Sequence, residues 1–255
     1  MGQLKNTFLP MSMYNQIPFI HHVTHVAETH ADDLECLKVL LRKHNIPPSV
    51  CIKLIHIHFH LDEGEIMVFR EFDMPQKEKV PFLGPMLPDA TTEIYGCHYI
   101  VDDAGDLQAF EYTAIPGGVN LVEHPAFVAE FCATVVQRGI QRKFGLAIKS
   151  GIAARGYWTE LDYPEKRATF LLPSDVPLPE SDRIVRTTTK TQFSSDEDVT
   201  HIHVEHTWGT GKGSLPDGEP IVDGVTTKGG FFLTGIPVYP DTAFYGVVSA
   251  ISVAV

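Results

Sequence analysis

Three features that mark particular classes of protein are missing from this chain. The first is a run of basic residues: 20 Lys and Arg stand against 32 Asp and Glu, for a formal net charge of -12. Nucleic acids and anionic membranes bind clustered positive charge, so we expect neither as a partner. A small-molecule substrate is the expected partner, and the oligomeric state is not indicated.

Closely paired cysteines are also missing. Cys36, Cys51, Cys97 and Cys132 are scattered, without the spacing of zinc motifs, and they lie in largely apolar segments. Buried, reduced thiols are the expected state of such residues. The sequence therefore predicts a cytoplasmic protein.

The third missing feature is a long apolar run. The N-terminal residues MGQLKNT contain no apolar core of the kind that a secretory signal has. The apolar tail at 243–255 is interrupted by Gly246 and Ser249, and it is shorter than the about 20 residues that cross a bilayer. We predict a buried terminal strand there and no membrane partner.

What the chain does have is enough apolar sequence for a large core. It has 255 residues, of which 44% are hydrophobic, and it shows no internal repeat. We predict a single domain over residues 1–255, with any subdivision near 173–183.

Two segments have the pattern of helices. The first begins at Thr29 as N-cap, continues with an acidic first turn and apolar residues at helical spacing, and stops at Pro47. The second begins at Pro125 and ends near Gly139 or Gly145. Residues 1–27 are predicted to form an extended arm, and the proline-rich segment 74–89 a loop that covers a pocket.

Most of the remaining chain has the pattern of strands. The predicted strands are 50–61, 66–72, 93–102, 107–114, 146–152, 156–162, 167–172 and 184–193. Helices and strands come in blocks and do not alternate, so the order favours an α+β fold. We predict a largely antiparallel β-sheet or partial barrel packed with two main helices.

Three histidines lie two residues apart in the first predicted strand. Side chains of a strand alternate between its faces, so His56, His58 and His60 are predicted to share one face, with apolar residues on the other. A turn at 62–65 predicts a hairpin with 66–72. The predicted pairs across this hairpin are His60 with Met67, His58 with Phe69 and His56 with Glu71.

A second hairpin is predicted from 93–102 and 107–114. An even-numbered loop would place His98 directly opposite Glu111, whereas a three-residue loop would break that pair. The same register predicts two further pairs, Cys97 with Tyr112 and Tyr99 with Phe110. Each hairpin would then hold a histidine opposite a glutamate.

Imidazoles and carboxylates are the ligands that zinc, iron and copper use in proteins. Our first hypothesis is a metal-dependent enzyme that acts on a small organic molecule through this histidine cluster. Its metal ligands would be His56, His58 and His98, holding a divalent transition metal (Zn, Fe or Cu). Glu111 and His60 would be the catalytic residues, and the sequence leaves the reaction class open.

Two alternatives stay open from the sequence. One is a metal-free isomerase or cyclase in which a histidine of the cluster and Glu111 serve as base and acid, because imidazole titrates near neutral pH. The other is a non-catalytic protein that holds a small ligand in an aromatic and Met-lined cavity.

Two short motifs resemble those of known metal-binding families. His58-Phe-His60 followed by Glu65 resembles the first metal motif of the cupins, which implies a metal held by these residues and a later histidine.

Residues 200–206, THIHVEH, resemble the metallo-β-lactamase signature THxHxDH, with Glu205 in place of its Asp. That likeness implies paired metals that activate a water for hydrolysis. His201 and His203 would share a strand face and approach the first cluster across the sheet.

The spacing of histidines through residues 56–98 also resembles that of uncharacterised fungal proteins of comparable size. This likeness implies no activity.

Overall fold

The computed structural model of the protein describes residues 2–73, 79–89, 91–149, 158–163, 167–173, 184–195, 198–206, 231–233 and 236–238. The helices are α1 (Met11–Tyr14), α2 (Val26–Thr29), α3 (Ala31–Lys43) and α4 (Pro125–Arg138), with 3₁₀ turns at Ile20–His22 and Leu121–Glu123. The strands are β1 (Leu4–Lys5), β2 (Val50–Leu54), β3 (Ile66–Asp73), β4 (Lys79–Met86), β5 (Tyr95–Val101), β6 (Leu107–Thr113), β7 (Phe144–Ile148), β8 (Trp158–Tyr163), β9 (Ala168–Pro173), β10 (Ile184–Phe193), β11 (Asp198–His206), β12 (Phe231–Leu233) and β13 (Ile236–Val238).

Eleven of these strands form one curled sheet. Their order is β1-β6-β3-β4-β9-β8-β11-β10-β2-β7-β5, and β5 also pairs with β6, so the order returns to the second strand. Among the described pairings of this sheet, β1–β6, β3–β6 and β8–β11 are parallel and the others antiparallel. The predicted α+β fold with a largely antiparallel sheet is therefore confirmed. Strands β12 and β13 form a separate pair.

The two long helices pack on the sheet as predicted. Their apolar faces, which include Leu37, Leu41, Phe127 and Phe131, are buried in one cluster with residues of β2, β6 and β7. Helix α4 begins at Pro125 and ends at Arg138, and Gly139, with a φ of 65°, is its left-handed cap. These boundaries are the predicted ones.

The N-terminal segment differs from its prediction. Residues 1–27 hold α1 and a 3₁₀ turn, and they bury Leu9, Tyr14 and Ile17 in a second apolar cluster, so the extended arm is wrong. Thr29 ends α2 and its hydroxyl donates to the carbonyl of His25 at 2.9 Å. It therefore does not cap α3, which begins at Ala31.

The first predicted hairpin is wrong. Strand β2 ends at Leu54 and pairs with β7 and β10, whereas β3 pairs with β4 and β6. None of the three pairs predicted between His60, His58 or His56 and β3 is formed. The predicted loop 74–89 contains β4, which takes the place beside β3. Pro81 and Pro85 are an even number of residues apart, so the N–H groups that they lack would both point to the same side of β4. The strand forms despite these missing donors.

The second predicted hairpin is correct, with a different register. Its loop runs from Asp102 to Asp106, an odd number of residues, and the main register pairs Gly96 with Tyr112 and Tyr99 with Ala109. The predicted pairs Cys97–Tyr112 and Tyr99–Phe110 are therefore wrong. The register shifts on both sides of His98, however, because Cys97 and Phe110 are extra residues on their strands. These shifts restore the predicted pair of His98 and Glu111.

Several simpler predictions can also be compared with the structure. All four cysteines are free, and Cys51, Cys97 and Cys132 are buried as predicted, whereas Cys36 is only partly buried and that part of the prediction is wrong. None of the described helices has the length and apolar character needed to cross a membrane. The predicted terminal strand at 243–255 lies outside the described residues, and the single-domain assignment stays a prediction.

Candidate metal centre

The segment that follows β2 presents His56 and His58 to the interior of the curled sheet. The backbone N–H of Ile55 donates to the carbonyl of Lys143 at 2.9 Å, and that of Ile57 to the carbonyl of Pro18 at 3.0 Å. Both isoleucines are fully buried in the second apolar cluster. The alternation predicted from the sequence therefore continues beyond β2, and His56 and His58 both line one cavity.

Strand β8 brings two carboxylates to His58. Glu160 and Asp162 are two residues apart, so they share one face of the strand. Glu160 Oε2 lies 3.1 Å from His58 Nε2, and Asp162 Oδ1 lies 2.9 Å from His58 Nδ1. On the neighbouring strand, the hydroxyl of Thr169 donates to Asp162 Oδ1 at 2.7 Å. The His58 ring is thus held between two carboxylates.

His56, His58 and Glu160 form a group that could hold a metal ion. One ligand atom from each lies within 4.8 Å of the others, and all three residues are buried or have buried side chains. His56 Nδ1 donates to the carbonyl of Leu54 at 2.9 Å, which leaves Nε2 as the nitrogen with the lone pair. Asp162 occupies the Nδ1 side of His58, so Nε2 is again the nitrogen directed at the group. A backbone carbonyl bonded to Nδ1 orients a metal-binding imidazole in the way seen at His56.

The charges around His58 favour a cation at this point. Burial acts to lower the pKa of His58, but the neighbouring carboxylates of Asp162 and Glu160 outweigh burial and raise this pKa well above its ordinary value. A proton on the imidazole supplies the positive charge that the two carboxylates favour. A metal ion bound to the neutral ring would supply positive charge in place of that proton.

The cavity itself is small and enclosed mainly by strands. Its volume is about 60 Å³, which accommodates several water molecules or a small ligand. Phe69, Leu83, Ile148 and Leu171 supply an apolar part of its wall. The rest of the lining is mostly polar and includes the two groups of ionisable residues around His58 and His98.

His98 and Glu111 form a second polar group in the same wall. His98 Nδ1 donates to Glu111 Oε2, and both residues are buried. Burial, together with the charge of Lys53, outweighs the effect of Glu111 and lowers the pKa of His98. A neutral ring whose Nδ1–H is bonded to a carboxylate carries its lone pair on Nε2, and this nitrogen can accept a proton.

The predicted site residues are only partly brought together. His56 and His58 belong to the candidate metal group, while His98 and Glu111 line the cavity as a separate pair. His60, the other predicted catalytic residue, is exposed, and its ring packs against that of Phe19 with 5.0 Å between the centroids. The chain bends at residues 58–59, which turns His60 away from the cavity.

The cupin-like motif is divided in the same way. Glu65 is not part of the candidate metal group, and its carboxylate accepts two bonds of 2.7 Å from Arg167. Glu71, predicted opposite His56, pairs with Pro81 of β4.

Sequence reasoning missed Glu160 and Asp162. A signal was present, since the two acidic residues stand on a predicted strand with the same two-residue spacing as His56 and His58. What the sequence did not show is that β8 lies near the segment after β2. The motif at 200–206 lies on β11, whose backbone runs parallel to β8 with His203 in register with Glu160.

Comparison with known protein families, with curated proteins and with solved structures finds no match for this chain. The function is therefore inferred from the geometry and chemistry of the site.

Proposed function

We propose that the protein is a metal-dependent enzyme that acts on a small organic molecule in this cavity. His56, His58 and Glu160 hold the metal ion. The observation that carries the proposal is the convergence of their three ligand atoms within 4.8 Å of one another in a buried cavity wall.

The three ligands favour zinc or iron(II) over copper. Two imidazoles and one carboxylate, with other positions open, are typical of catalytic zinc and of non-haem iron(II). Such an ion polarises a substrate carbonyl or lowers the pKa of a bound water. Asp162 contributes through its charge beside Nδ1 of His58, which favours a cation at the group.

The pair of His98 and Glu111 supplies acid–base chemistry to the same cavity. Nε2 of the neutral His98 ring takes a proton from the substrate or from water. Glu111, bonded at Nδ1, stabilises the imidazolium that results. The cavity volume of about 60 Å³ limits the substrate to a small molecule, and the apolar residues of the wall contact its hydrocarbon part.

A second candidate function has a specific observation in its favour. The pKa of His58 is raised and that of His98 is lowered, so the cavity holds one histidine suited to donate a proton and one suited to accept it. A metal-free isomerase or cyclase would use these two residues directly.

Metal content separates the two candidates. Protein produced without a histidine tag is analysed for metals, both as purified and after reconstitution with Zn²⁺ or with Fe²⁺ under anaerobic conditions. We expect about one metal ion per chain in the wild type and a loss of the ion in His56→Gln, His58→Gln and Glu160→Gln. His60→Gln is the matched control, since it removes a histidine close to His58 in sequence but outside the cavity. A wild-type protein that binds no metal under either condition contradicts the proposal and leaves the acid–base candidate.

A further inference from the structure

Lys53 is a buried cation in the wall of the cavity. It lies on β2, is 3% exposed and lines the same cavity as the candidate metal group. Within the part of the chain that the structure describes, its ammonium makes no hydrogen bond and no ion pair. Lys5 and Lys43, by contrast, are paired with Asp102 and Glu130. An ammonium that lines a cavity without a protein partner attracts negative charge, so a residue of this kind points to a ligand of opposite charge.

The carboxylates of the cavity do not serve as that partner. Glu111 is bonded to His98, and Glu160 lies against His58. No ion pair joins either carboxylate to Lys53 among the described residues. The positive charge of Lys53 is nevertheless felt inside the cavity, because it contributes to lowering the pKa of His98.

Gln192 provides a second donor beside Lys53. Strands β2 and β10 are antiparallel neighbours with Lys53 and Gln192 in register, and both residues line the cavity. The carbonyl oxygen of the Gln192 side chain accepts a bond from the thiol of Cys51 at 3.6 Å. With its oxygen on the side of Cys51, the amide has its NH₂ group as the remaining donor.

We propose that Lys53 and Gln192 bind the carboxylate group of the substrate, which is a short-chain carboxylic acid. This inference rests on the proposed function and deepens it by naming the substrate class. The ammonium and the amide each donate to the carboxylate, and Phe69, Leu83 and Leu171 contact the hydrocarbon part. With the anionic end fixed, the rest of the molecule extends toward the metal group and His98.

A carboxylate fits these residues better than a phosphate does. Phosphate sites offer several backbone N–H groups or more than one basic side chain, to match a group with up to two charges and several acceptor oxygens. One ammonium and one amide match a single charge and two oxygens. The small volume of the cavity, about 60 Å³, also favours the smaller group.

Binding is tested on the full chain after treatment with a chelator, so that no metal contributes to the affinity. The probes are propionate and its neutral isostere propionamide, measured by titration with NMR detection. We expect propionate to bind with a dissociation constant on the order of 1 mM and propionamide to bind at least about tenfold more weakly. The Lys53→Met variant weakens propionate binding at least about tenfold, whereas Lys43→Gln, which removes an exposed lysine, changes it by less than about twofold.

Two further readouts separate a ligand-binding lysine from a structural one. Lys53→Met removes an unpaired buried charge, so the unfolding temperature of the ligand-free protein rises, whereas loss of a structural lysine would lower it. Metal content of the reconstituted variant stays equal to that of the wild type. If the wild type binds propionate but no metal, the anion site stands and the metal proposal fails. Equal binding of propionate and propionamide, or tighter binding of inorganic phosphate than of propionate, overturns the inference.

Discussion

His58 and His98 line the same cavity, and their surroundings move their pKa values in opposite directions. His58 lies between Glu160 and Asp162, and the two carboxylates outweigh burial and raise its pKa. For His98, burial and the charge of Lys53 outweigh a single carboxylate, and its pKa falls. Burial alone therefore does not decide whether a histidine is charged; the balance of neighbouring charges does. The cavity therefore has one part of its wall, around His58, that attracts a cation, and a separate neutral base, His98.

The largest effect is expected from breaking the His58 side of this comparison. His58→Gln removes a metal ligand and leaves Glu160 and Asp162 without the cation between them. We expect metal affinity to fall by more than about 100-fold, beyond the loss usual for residues that only orient a ligand. Competition with a coloured chelator measures it. Affinity within a few-fold of the wild type would show that the metal, if bound, lies elsewhere.

A smaller loss is expected from Asp162→Asn. The variant keeps all three proposed ligands but removes the negative charge beside Nδ1 of His58, so metal affinity falls by about 10- to 100-fold and binding remains detectable. Asp103→Asn is the matched control, because Asp103 is exposed at the far end of the β5–β6 loop. Equal behaviour of the two variants would remove Asp162 from the account.

The pH dependence of stability tests both histidines together in chelator-treated protein. A raised pKa in the folded state means that His58 adds stability below the unfolded value of about 6.5, which is lost as pH rises through the folded pKa. The lowered pKa of His98 has the opposite effect on stability. Above about pH 6.5 it makes no difference, and as the pH falls from there through the pKa of His98 in the folded protein, stability is lost. The free energy of unfolding should therefore decline on both sides of about pH 6.5.

Single variants assign the two arms of that profile. His98→Gln should flatten the decline in the free energy of unfolding on the acidic side, and His58→Gln the decline on the alkaline side. Each change in slope corresponds to at most one proton. Urea unfolding at a series of pH values gives the slopes. An alkaline arm that is unchanged in His58→Gln would contradict the charge balance described for that residue.

A smaller and more local change is expected at His98 itself. Glu111→Gln removes a group that raises the pKa of His98, so that pKa should fall further, whereas Lys53→Met should raise it. NMR titration of the imidazole signals measures both. Shifts of the same sign in the two variants would mean that the charges around His98 are not arranged as described.

No effect is expected from His60→Gln. The side chain is exposed and packs on Phe19, outside the cavity. Metal content and affinity should match those of the wild type. A loss of metal in this variant would restore His60 to the site and require the bend at residues 58–59 to be absent in solution.

The two histidines also differ in how far the sequence predicted them. His98 and Glu111 lie on consecutive strands joined by a short loop, so local pattern was enough to pair them. The register was nevertheless wrong on either side of that pair, because Cys97 and Phe110 are extra residues on their strands. The predicted pair formed for a reason that the sequence pattern did not contain.

The surroundings of His58 were beyond prediction for a different reason. The alternation of His56 and His58 with isoleucines was visible in the sequence, but their carboxylate partners come from β8, roughly a hundred residues later. That neighbourhood depends on the sheet closing through β4 and β9. Because β4 contains prolines, the sequence predicted a loop there. Strand β3 was therefore paired with the histidine segment and not with β4.

The central claim is that His56, His58 and Glu160 bind one divalent transition metal, and anomalous diffraction at the absorption edge of the bound metal tests it most directly. Crystals of tag-free, reconstituted protein should show an anomalous peak about 2.0–2.2 Å from a nitrogen of each histidine and an oxygen of Glu160. A peak at any other position, or its absence after reconstitution with zinc and with iron(II), would contradict the claim.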